Sequence, residues 1–89
     1  MKTVWKYQIP TNDITFKLDM PHDAKILRVD VQAGVPIFWA EVLSQWSREE
    51  RKFRIVGTGT PIPFDEQVEY LGTWQQGYFV FHLYEVKDG

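Results

Sequence analysis

Gly57-Thr58-Gly59-Thr60 is the stretch best suited to chemistry in this 89-residue chain. Alternating glycines let a backbone reach positive φ and turn successive N–H groups toward one point, an anion-binding concavity. The Thr58 and Thr60 hydroxyls add donors, and Arg54 on the preceding segment supplies a charge suited to phosphate oxygens. The same letters also spell a turn ended by Pro61, which needs no ligand. Neither G-x-G-x-x-G nor G-x-x-x-x-G-K occurs. His82 lies in an apolar segment, either as a core histidine satisfied by a backbone or hydroxyl partner or as a contact at the floor of a pocket. Trp74 and Tyr78 flank a turn and suit stacking on a planar ligand or packing a dimer seam. Arg54, Gly57, Thr58, Gly59, Thr60, Trp74 and His82 form the candidate ligand-binding set.

Catalysis finds little support in the remaining residues. His22 and His82 are the two histidines, and neither shares an H-x-H or H-E-x-x-H spacing with another ligand. Ser44 and Ser47 lie outside any nucleophile elbow. The acidic pairs Glu49-Glu50 and Asp65-Glu66 sit in polar stretches, where solvation accounts for them. No catalytic residue, metal ligand or cofactor is expected, and the chain reads as a non-enzyme.

Ten basic and twelve acidic residues give a net charge of −2, which argues against sequence-independent nucleic-acid binding. No basic amphipathic run or long apolar run addresses a membrane. Zero cysteines exclude disulfides and thiolate metal sites. The N-terminal Met-Lys-Thr-Val-Trp-Lys-Tyr alternates like a strand rather than like a signal peptide. These features predict a soluble, cytoplasmic protein. Aromatic residues reach 16%, with four Trp, more than a small interior easily hides. Some are expected at a surface, which favours a homo-oligomer or another partner.

The elements that must hold the candidate set are strands. Thr3 to Ile9 alternates with Thr3, Trp5, Tyr7 and Ile9 on one face. Ile14, Phe16, Leu18 and Met20 face inward from a second strand, and Leu27, Val29 and Val31 from a third. Ala33-Gly34 is a hairpin signal leading into Val35 to Leu43. A polar break, Ser44 to Glu50, reads best as a loop, with Trp46 either folded over the core or exposed as a contact. Arg51 to Gly57 is the next strand, and Asp65 could cap one helical turn through Val68. Tyr70 to Gln75 pairs through Gln76-Gly77 with Tyr78 to Val86, which is apolar on both faces. That last strand must run through the middle of a sheet, covered above and below. One all-β domain over residues 1–89 is predicted, an antiparallel sandwich or a small, partly open barrel of six or seven short strands. They are expected to follow one another as a meander, with little or no helix.

The assembled pieces resemble a family of small proteins encoded by bacteriophages and prophages, a domain of unknown function. They are Val4-Trp5-Lys6-Tyr7, Met20-Pro21, Ala24 to Leu27, Val29 to Gln32, Gly34-Val35-Pro36 with Trp39-Ala40, Phe53-Arg54-Ile55 with Gly57-Thr58-Gly59, Pro61-Ile62, Tyr70 to Thr73 and Val80-Phe81-His82. The resemblance transfers no catalytic residue. It implies a viral protein in the host-cell cytoplasm that acts by stoichiometric binding, an anti-defence inhibitor. The expected ligand is small and nucleotide-derived, held by the candidate set. The alternative is docking on a host or defence protein through exposed aromatics and an acidic surface, and cleavage of a nucleotide signal is a distant third.

Overall fold

Phe38 and Phe53 meet across the centre of the molecule with ring centroids 5.5 Å apart, each on the inner face of a different sheet. Tyr7 stacks on Phe38 and Phe16 on Phe53, both at 5.2 Å, so one aromatic ladder crosses four strands. Such rings bury large areas, the most effective way for a small chain to build an interior. The computed structural model describes residues 1–87.

The strands are β1 (Lys2–Gln8), β2 (Thr15–Pro21), β3 (Lys25–Gln32), β4 (Val35–Leu43), β5 (Arg48–Gly57), β6 (Val68–Gln76) and β7 (Phe79–Val86). They form an antiparallel sandwich of two sheets ordered β1-β4-β3 and β2-β5-β7-β6, and no barrel closes. Only β3–β4 and β6–β7 are hairpins; the other connections cross between sheets or reach a non-adjacent strand, so the expected meander gives way to an interleaved order. The described residues contain no helix, and Asp65 lies in a turn in which Glu66 N–H donates to the Pro63 carbonyl. No helix is long and apolar enough to cross a membrane.

Strand β7 does run between β5 and β6, but only the later half of its inner face is sealed, since Phe79 at its start is 69% exposed. Leu83 is buried there, whereas Val80, His82 and Tyr84 on the other face are half-exposed. Tyr78 is not part of the strand; it occupies the turn and is fully exposed. Strand β3 departs from strict alternation at a bulge between Ile26 and Arg28. The extra residue turns Leu27 outward and leaves Ile26, Val29 and Val31 against the core. Ile14, expected inside, precedes β2 and is 69% exposed. The polar break after β4 shortens to Ser44–Ser47, because Arg48, Glu49 and Glu50 extend β5 along β2. Trp46 is exposed beside the loop after β2, its ring stacked 6.1 Å from His22.

Two close approaches lock the sheets at one side and one end. Gly72 of β6 lies so near β3 that an added Cβ would fall 2.6 Å from Val29 Cβ. At one end Arg51 and Glu85 form a bidentate ion pair, with Nε and Nη2 each 2.6 Å from a carboxylate oxygen. Arg51 Nη1 also donates to the Ala24 carbonyl. Glu85 is 4% exposed and tolerates this burial because its charge is met from two sides, with Lys87 Nζ 3.3 Å away.

Candidate functional site

The seven candidate residues do not converge on one pocket, because they lie on both faces of the four-stranded sheet. Thr58 follows β5 and pairs through its N–H with the Val80 carbonyl, 3.1 Å away. Thr60 N–H donates to the Gly57 carbonyl, 2.9 Å away, closing a tight turn in which Gly59 has φ +89°. Two donors required by an anion concavity are therefore spent, one on β7 and one inside the turn. Arg54 is spent as well: its guanidinium makes a two-pronged pair with Glu66, with Nη2 to Oε2 at 2.8 Å. That pairing holds the Glu66 carboxyl below its usual range and raises the Arg54 pKa.

His82 belongs to the same outer face and is clamped by hydroxyls. Its Nε2 lies 2.9 Å from Thr58 Oγ1 and its Nδ1 2.9 Å from Thr73 Oγ1, which in turn contacts the Tyr70 hydroxyl. The register sets this chain of contacts, since Thr73 is directly opposite His82 on β6 and Val56 is opposite it on β5. With both ring nitrogens engaged, His82 holds the loop after β5 to the sheet.

Trp74 points the other way. It is buried on the inner face opposite Phe81, with ring centroids 5.5 Å apart, and its indole N–H donates to Gln76 Oε1 at 3.2 Å. Gln76 Nε2 in turn donates to the Gly34 carbonyl, tying β6 to the β3–β4 turn. Phe79 continues the row, 6.3 Å from Phe81.

These rings floor an open cleft of about 480 Å³ at the end of the sandwich. Trp74, Phe79 and Phe81 form one wall with Ile55, while Ile14 and the polar residues Thr11, Asn12 and Asp13 form the opposite lip. The cleft exists because the β1–β2 connection swings from one sheet to the other across the open end, leaving Ile14 with nothing to pack on. Its size and apolar floor suit a small molecule or a planar ring. The sequence signal for it was the mismatch between Ile14 and its polar neighbours Thr11 to Asp13, which alternation alone reads as the start of a strand.

The sequence matches, over residues 1–89, the family described as Domain of unknown function (DUF7352). The chain belongs to this family. No curated protein and no solved structure matches it. Among the described residues no three His, Asp or Glu side chains gather as a metal-holding group. The aromatic cleft combines an apolar floor with polar groups at its rim, whereas a second cleft, of about 740 Å³, is lined largely by charged side chains such as Glu49, Arg51, Glu69 and Lys87.

Proposed function

We propose that this protein is a non-catalytic binding protein that captures a small ligand carrying a flat ring, of nucleobase size, in the cleft at the end of the sandwich. The observation that carries this reading is the row Trp74–Phe81–Phe79, which offers ring faces at the mouth and floor of a 480 Å³ space. Aromatic faces hold a base of any identity by stacking, and Asn12, Asp13 and Gln76 at the rim supply the polar groups that would select among bases. Arg54 is neutralised by Glu66 and lies on the other face, so the ring rather than a phosphate provides the grip. In the setting implied by the resemblance to small phage proteins, such a module works stoichiometrically, sequestering a nucleotide-derived host signal.

One observation favours a second reading. Ile14 and Phe79 are each 69% exposed and Tyr78 is fully exposed, which places an apolar lip at the same end. A partner protein of the host would seat a side chain in the cleft and cover that lip.

Thermal melting against a panel of nucleosides, nucleotides and cyclic nucleotides tests the first reading. A ligand present at 100 times its Kd stabilises by about 2.7 kcal/mol, an easily resolved shift. No shift with any member, together with co-purification of a host protein that depends on Phe79, would transfer the cleft to protein docking.

A further inference from the structure

Strand β2 has a hydrogen-bonded neighbour on one side alone, so its other edge offers unpaired backbone groups. The Ile55 N–H donates to the Ile14 carbonyl, and Ile14 stands one step before the β2–β5 register. By the two-residue repeat of an antiparallel ladder, Phe16, Leu18 and Met20 turn their backbone groups toward β5, while Lys17 and Asp19 turn theirs to the free edge.

The side chains at that edge are poorly matched within the chain. Lys17 stands directly opposite Lys52, and Asp19 directly opposite Glu50. Like charges opposed across a sheet are unfavourable. Lys17 finds relief in a diagonal contact to Glu50 at 3.5 Å, but Asp19 has no cation at ion-pair distance among the described residues.

We propose that β2 pairs with β2 of a second copy of this chain, antiparallel about Leu18, joining two four-stranded sheets into one of eight strands across a two-fold axis. In that register Lys17 faces Asp19 of the second copy and Asp19 faces its Lys17. Leu18 meets Leu18, and Phe16 lies opposite Met20. Lys17 and Asp19 turn their N–H and C=O outward, so each of these two central pairs exchanges two backbone bonds, while Thr15 falls opposite Pro21, whose missing N–H ends the ladder. Sliding by one repeat in either direction sets Lys17 against Lys17 or Asp19 against Asp19, so charge selects a single register. A two-fold interface demands this self-complementarity. The other edges lack it. Strands β3 and β6 are interrupted by bulges near Leu27 and Leu71, and β1 carries Lys2 and Lys6 with no acid.

Analytical ultracentrifugation of the whole chain and its charge variants tests the pairing. Wild type is expected to dimerise within a range reaching about 1 mM. Lys17→Asp and Asp19→Lys should each weaken self-association by about tenfold or more, since each now opposes like charges. An equimolar mixture of the two variants should recover the dimer, because the acidic β2 then faces the basic one. The double variant K17D/D19K should dimerise like wild type. A monomeric wild type, a dimer indifferent to both single changes, or a mixture that stays monomeric would each overturn the pairing. Both positions are exposed, so circular dichroism of the variants separates lost association from lost folding.

Discussion

Gly72 and Val29 touch where two sheets come together: a Cβ on Gly72 would lie 2.6 Å from Val29 Cβ and 2.7 Å from its Cγ2. No real Cβ tolerates such an approach, so β3 and β6 can pack at this distance only with glycine on one side. Gly72→Ala is expected to destabilise by about 2 kcal/mol or more through overpacking. Val29→Ala combined with it should recover part of the loss. A double-mutant cycle in urea measures the coupling, and additive effects would show that the contact is slack.

The Arg51–Glu85 pair should dominate the acid limb of stability. Burial pushes the Glu85 carboxyl up, but the Arg51 hydrogen bonds and the Arg51 and Lys87 charges outweigh it and hold the pKa below the ordinary 4.5. A carboxyl depressed on folding contributes its stability above the unfolded pKa and loses it as pH falls through the folded value. Stability is therefore expected to fall steadily from about pH 4.5 downward. Glu85→Gln should flatten that fall and cost about 3 kcal/mol at neutral pH, because Arg51 is left buried without its counter-charge. Arg51→Met with Glu85→Leu should cost less than either single change. Urea titrations from pH 3 to 7 would reveal an unchanged acid slope if Glu85 were not the group responsible.

Ala33 sits at φ +50° beside Gly34 at φ +79°, the two left-handed positions of a type I′ turn between β3 and β4. Alanine is strained there, whereas Asn is accepted. Ala33→Asn is expected to stabilise by about 1 kcal/mol, a rise in Tm of about 4–8 °C for a domain this size. A thermal melt reads it directly, and a lowered Tm would mean that the turn is set by contacts elsewhere.

Phe79 and Thr58 separate the two faces as ligand sites. Phe79 is mostly exposed at the cleft mouth, so Phe79→Ser should change stability by no more than about 0.5 kcal/mol while abolishing any ligand-induced thermal shift. Thr58→Val, on the opposite face beside His82, should leave that shift intact. The reverse outcome would return the site to the Gly57–Thr60 turn.

Alternation of apolar and polar residues was enough to read an all-β chain with its strands in nearly their observed places. Trp5 and Tyr7, Phe16 and Met20, and Phe53 and Ile55 face the core as their spacing requires, because a pleated strand leaves a side chain no other choice. The Ala33-Gly34 turn was equally legible, whereas the last turn falls one residue later than expected, at Gly77-Tyr78, because Gln76 pairs with Phe79 at the end of β6.

Strand order, the bulges and the cleft were settled only in three dimensions. Whether β5 lies between β2 and β7 depends on which apolar faces meet, and period-two patterns are alike on every strand. The same is true of the candidate residues. Sequence spacing groups Arg54, Thr58 and His82 with Trp74, but the direction of Trp74 depends on a one-residue bulge between Tyr70 and Gly72. That single extra residue reverses the parity of β6 after it, and with it the face of the sheet on which each later side chain stands.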